Sequence, residues 1–174
     1  MQFMVMFCQL LIAMIFTASA VGKVRKRQHF RDFTTTVERL VPGRLATSIA
    51  YLVVAAEFAV IALTLAPPTR MAGLLLAAIL LIGFAAVAEF AVRTGRVVTC
   101  NCFGGASDTV LGRTHVVRNI VLAGVATTGL VATALTAPRV DADIVLTASL
   151  AAFAVAAPLA RWEDIRSLFA KSSI

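Results

Sequence analysis

The stretch that decides the fold runs from Leu45 to Phe90: "LATSIAYLVVAAEFAVIALTL" (45–65), "APPTR" (66–70) and "MAGLLLAAILLIGFAAVAEF" (71–90). A helix needs about 20 apolar residues to cross a hydrocarbon core, and two such runs stand on either side of a short break. Paired prolines make that break a tight turn. The stretch therefore predicts two antiparallel membrane helices.

Outward from this hairpin the same pattern recurs at Phe3 to Val21, Val116 to Ala137 and Ile144 to Ala160. The last run is the shortest, but Asp141 and Asp143 before it and Arg161, Trp162 and Glu163 after it make interfacial ends, with Trp162 in the headgroup belt. The 174 residues are 60% hydrophobic and 14% charged, with mean hydropathy +0.91, against roughly a quarter charged in soluble proteins. An all-α polytopic membrane bundle of four to five spans follows. Once the spans are counted, too little chain remains for a second domain, so residues 1–174 are read as one. A net charge of +7 would suggest nucleic acid for a soluble domain. Here the basic residues lie between apolar runs and report orientation in a lipid bilayer, and no nucleic-acid partner is expected.

Ala18-Ser19-Ala20 has the look of a signal-peptidase site. A leader, however, carries its basic residues before the apolar run, whereas Lys23, Arg25, Lys26 and Arg27 follow this one, so a retained first helix is expected. With five spans, the first and third connections and the C-terminal segment fall on one side. That side holds all the Lys and Arg residues except Arg70 and Arg139. The positive-inside rule then places the N-terminus outside, and the 93–114 loop and the C-terminus in the cytoplasm, for a multi-pass protein of the cell membrane. Arg31 to Leu40, "RDFTTTVERL", is too polar to span, and Phe33, Val37 and Leu40 recur at helical spacing. It is expected to form an amphipathic interfacial helix after the first span.

Two of the three cysteines, Cys100 and Cys102, stand one residue apart in "VVTCNCFGGASD" (97–108). Thiols at i and i+2 close a disulfide only with local distortion, and strained disulfides are readily reduced, which suits exchange better than stapling. Gly104 and Gly105 give the loop backbone freedom and let another chain approach closely. Arg93, Arg96, Arg113 and Arg118, with the start of the fourth run, would favour the thiolate; topology anchoring is an equal reading for the first three. Metal ligation by Cys100, Cys102 and His115 is the competing chemistry, but the spacing matches no standard zinc pattern, and a structural loop is the third reading. His115 is a candidate base, with a surface or capping role as the plainer reading. Cys8, alone in the first run, reads as packing.

Glu57 lies near the middle of the second run, where a carboxylate is costly unless neutralised or paired. Arg118, with Asn119 beside it, offers a partner, and Glu89 lies closer to the end of its run. Glu57 and Arg118 are read either as a clamp between helices or as a proton-handling site.

"CNCFG" (100–104) followed by "LGRTHVVRNIVL" (111–122) resembles the C-x-CFG and later Arg-Asn signature of the MauE family, membrane proteins within the wider DoxX-like group. Cys100, Cys102, Phe103, Gly104, Arg118 and Asn119 match that motif. "GKVRKRQHFRDF" and the mid-helix Glu57 are similar more loosely. Members are linked to forming or maintaining disulfides in exported proteins, often beside a thioredoxin-like partner, and methylamine dehydrogenase maturation gave the family its name. The resemblance implies a membrane thiol–disulfide oxidoreductase using Cys100 and Cys102, supported by Phe103, Gly104, Arg118, Asn119, Glu57 and His115, with a thioredoxin-fold protein as partner. Cys8 would be a relay thiol, although at 1.5 Å per residue it lies about 20 Å from the inner face. Two alternatives stand beside this reading: a quinone-linked oxidoreductase, which makes quinone the one candidate cofactor, and a non-catalytic scaffold or accessory subunit.

Overall fold

The computed structural model of the chain describes residues 1–41, 45–95, 112–136 and 141–160. Among the described residues the regular structure is entirely helical: α1 (Gln2–Val24), α2 (Arg27–Glu38), α3 (Leu45–Leu65), α4 (Arg70–Arg93), α5 (Arg113–Leu135) and α6 (Ala142–Ala160). All except α2 are long and apolar enough to cross a membrane. An all-α polytopic bundle is what the run lengths required, and Leu45–Leu65 matches the sequence reading at both ends.

The long helices are apolar on nearly every side, as lipid-facing helices must be. Leu52, Ile79, Val121 and Phe153 are exposed, while Ile12, Val60, Leu74 and Leu122 are fully buried. Pro67–Thr69 forms a single 3₁₀ turn between α3 and α4, with the Thr69 hydroxyl donating to Leu63 O at 3.0 Å. Proline supplies the fixed φ that such a turn uses. α4 ends on Gly95, whose φ of +63° is the left-handed conformation that favours glycine.

Contacts fix the direction of each helix. Gln9 of α1 reaches Thr64 near the end of α3, and Ser19 reaches Glu57 in its middle, so α1 and α3 are antiparallel. Met1 lies against Thr136 at the end of α5, while Lys23 shares a cavity with His115 and Arg118 at the start of that helix. The polar end of the bundle thus gathers the end of α1, all of α2, the start of α3, the end of α4 and the start of α5. α2 lies over α3 through Phe33 and Val37, and the Phe30 and Tyr51 rings sit 4.8 Å apart. The amphipathic helix expected at Arg31 to Leu40 begins a turn earlier, at Arg27.

Small residues set the spacing of the spans, since apolar burial supplies little drive between helices in lipid. A Cβ on Gly73 would lie 2.5 Å from the backbone nitrogen of Thr64, and one on Gly129 would lie 2.8 Å from Cys8 Cβ. Gly83 has open space around it. Gly73→Ala is therefore expected to force α3 and α4 apart and cost about 1–3 kcal/mol, read as lost thermal stability in detergent. Gly83→Ala should leave stability unchanged or slightly raised.

Candidate functional site

α1 carries Ser19 and Lys23 one turn apart on the face it buries against α3. That spacing places both beside Glu57. Lys23 Nζ lies 2.6 Å from Glu57 Oε1 and donates to Ser19 Oγ at 2.6 Å, and Ser19 Oγ donates to the same carboxylate oxygen at 2.9 Å. Lys23 is 2% exposed and Glu57 is 0% exposed. The Lys23 ammonium also sits 5.1 Å from the centre of the Phe33 ring, so α2 covers the charge with an aromatic face.

Beside this triad lies a cavity of about 190 Å³, walled mainly by apolar side chains such as Phe16, Phe33, Leu81 and Leu122. Its polar groups are Ser19, Lys23, Thr36, Glu57, His115, Arg118 and Asn119. Glu57 Oε2 is buried and has no hydrogen-bond partner among the described residues. Arg118 is close enough for its positive charge to act on Lys23. Among the described residues the cavity wall carries two cations, Lys23 and Arg118, and one carboxylate, Glu57, within an otherwise largely apolar lining.

His115 is the third residue of α5. Its Nδ1 accepts a hydrogen bond from the backbone N–H of Gly112 at 3.3 Å, and its own backbone N–H donates to Gly112 O at 3.0 Å. The neutral ring then carries its proton on Nε2. The capping reading of His115 holds, but the surface reading does not: the residue is buried at 5% exposure. Asn119, one turn further on, is also buried at the cavity wall.

Glu57 is buried in the bundle, as its depth in the run implied, but among the described residues its ion pair is with Lys23 and not with Arg118. This corrects two sequence expectations at once, because Lys23 was grouped with the basic flank that reports orientation. It is instead the last polar group of α1's buried face. The missed signal was Ser19-x-x-x-Lys23, two polar side chains on the stripe that also carries Ile12, Ile15 and Phe16. Glu89 pairs with Arg93 at 2.6 Å on the exposed surface, one turn apart. Cys8 is buried against α5 at Gly129, and the 15-residue separation puts it about 22 Å along α1 from Lys23. Sequence reasoning also passed over Gln9, whose Nε2 donates to Thr64 O at 2.6 Å. Cys100, Cys102, Phe103 and Gly104 lie outside the described residues, as do Arg96 and the Trp162 anchor. In the sequence, the cysteines fall between the end of α4 and the start of α5.

The fold and the site define a class: a multi-pass all-α membrane protein with a buried ion pair beside an apolar cavity. The chain belongs to the family described as methylamine utilisation protein MauE, whose profile matches residues 1–132. No curated protein and no solved structure matches it.

Removing one member of a buried pair leaves an uncompensated charge, which typically costs about 3–5 kcal/mol, whereas an apolar replacement of both members is often neutral. Lys23→Met and Glu57→Leu are each expected to lose stability in that range, and the double variant to recover most of it. Unfolding in detergent on all four proteins measures the coupling.

Proposed function

We propose that this protein is the membrane component of a thiol–disulfide exchange system, with Cys100 and Cys102 as the exchanging pair and a thioredoxin-fold protein as its partner. Membership of the MauE family is consistent with a membrane accessory role in methylamine utilisation, and the exchange chemistry is the step taken here. The observation that carries it is the pair of thiols one residue apart in the link between α4 and α5, the two helices that bring Leu81, His115, Arg118 and Asn119 to the Lys23–Glu57 cavity.

In the exchange, a thiolate of the reduced partner attacks one sulfur of a Cys100–Cys102 disulfide, and the other sulfur leaves as thiolate. The partner's second thiolate then attacks the mixed disulfide. The partner leaves oxidised, and Cys100 and Cys102 are left reduced with the same two electrons. The reverse sequence delivers a disulfide to the partner. Arg118 and Lys23 supply the positive field that stabilises thiolate, and Glu57 holds or releases protons near the exchange. The charge bias of the chain favours an outward N-terminus and a cytoplasmic 93–114 loop, so electrons would enter from the cytoplasm. Residues 1–174 act in this reading as one domain.

A second reading sends the electrons of the dithiol to a quinone, giving a disulfide and a quinol with transfer of two protons. What favours it is the apolar cavity, in which Glu57 Oε2 is buried without a hydrogen-bond partner among the described residues.

With Cys100→Ser or Cys102→Ser, one exchange step is blocked. One of these variants is expected to accumulate a covalent partner complex on non-reducing gels that reductant dissolves. If neither traps a partner while the reduced wild-type chain reduces a soluble quinone in a cysteine-dependent way, the quinone reading replaces the first. A double Cys100→Ser/Cys102→Ser variant that still supports partner maturation would make the protein a non-catalytic scaffold.

A further inference from the structure

Of the described helices, α6 packs against α1 alone. Its contact stripe is Ala148, Ala152 and Ala156, and the rest of its surface is left largely uncovered. One side of that seam is a groove of about 900 Å³, separate from the Lys23–Glu57 cavity. On α1 the groove runs from Leu10 to Val21. At 1.5 Å per residue that is about 16 Å, close to half of a hydrocarbon core about 30 Å thick, or the depth of one leaflet. Ala18 and Ala157 keep the groove deep between the two helices.

The groove ends at the polar end of the bundle on Arg25, Lys26 and His29, and no carboxylate among the described residues lines it. Arg25 and Lys26 are exposed, and neither is paired with a carboxylate among the described residues. His29 Nδ1 donates to Gly22 O at 3.0 Å, which holds the ring at the rim with Nε2 as its remaining polar atom. An apolar slot one leaflet deep with a basic head is the complement of one kind of molecule.

We propose that the groove between α1 and α6 binds an anionic phospholipid, its phosphate held by Arg25, Lys26 and His29 and an acyl chain lying along the two helices. Arginine suits a phosphate because its planar fork donates two parallel hydrogen bonds. Anionic headgroups are drawn to basic groups at the membrane surface, and zwitterionic ones gain far less. A second copy of this chain is the rival occupant, and the Ala157→Phe variant below tells the two apart. The proposal stands on α1 and α6 alone and is independent of the thiol chemistry.

The test is native mass spectrometry of the full chain in detergent, titrated with phosphatidylglycerol and with phosphatidylcholine of the same acyl chains. A preference for phosphatidylglycerol of about ten-fold or more is expected, at about five-fold per charge engaged. Arg25→Gln/Lys26→Gln should reduce the two lipids to near-equal binding, and Ala157→Phe should weaken phosphatidylglycerol by filling the slot. The charge variant alters only exposed residues, so it decides the matter even if Ala157→Phe does not fold. Equal binding by the wild type, or a preference that survives the charge variant, overturns the proposal. So does displacement of the lipid by glycerol phosphate at equal concentration, which would mark a site for the free anion. A lipid-free dimer that the Ala157→Phe substitution dissolves would assign the groove to a second copy.

Discussion

The contact between Lys23 and Glu57 is the constraint on which the polar half of the bundle depends. Each ion lies where water does not reach, so each is tolerable only because the other is 2.6 Å away. The pair fixes α1 to α3 in both register and rotation, because a slip of one residue on either helix would carry a charge into lipid. Ser19 tightens the arrangement by bonding both ions, and Phe33 covers the ammonium from the side of α2. At the opposite end the spans are held by another means. There Gly73 and Gly129 let helices touch, and the Gln9 amide bonds the backbone of Thr64.

This division of labour explains why the cavity is where it is. Large apolar side chains and a long lysine cannot interdigitate as closely as the small residues at the other end, so space is left between α1, α3, α4 and α5. The same end receives the start of α5, where the helix begins on Gly112 and His115 closes its first turn. Arg118 and Asn119 then fall one turn deeper, at the cavity wall. The end of α4 and the start of α5 are therefore both brought to the side of the bundle that holds the Lys23–Glu57 pair. Lys23, Arg118 and Glu57 are the groups on which the proposed thiol exchange would draw.

Run length and proline placement made the fold legible, because the cost of leaving backbone groups unpaired in lipid permits little besides helices there. Glu57 was legible for the same reason: a carboxylate at mid-span demands a partner. Which partner was not, since Arg118 and Lys23 both lie near span ends on the Lys/Arg-rich side and only packing distinguishes them. Lys23 was hidden by its neighbours, a run of basic residues in which one side chain turns inward while Arg25, Lys26 and Arg27 stay exposed. His115 shows a similar limit, for its capping bond is a local feature but its burial depends on the helices around it. The groove between α1 and α6 left no motif at all, because alanines and glycines that define a recess look the same in sequence as those that define a contact.

Whether Cys100 and Cys102 act as one redox unit, as proposed, is tested by a redox titration of the Cys8→Ser protein in bilayers. Thiols are alkylated and counted as the poise of a dithiol buffer is varied. A single two-electron transition is expected, in which both sulfurs become unavailable to alkylation together and the chain loses the mass of two hydrogens. Two thiols that remain independently alkylated under every oxidising poise would contradict it.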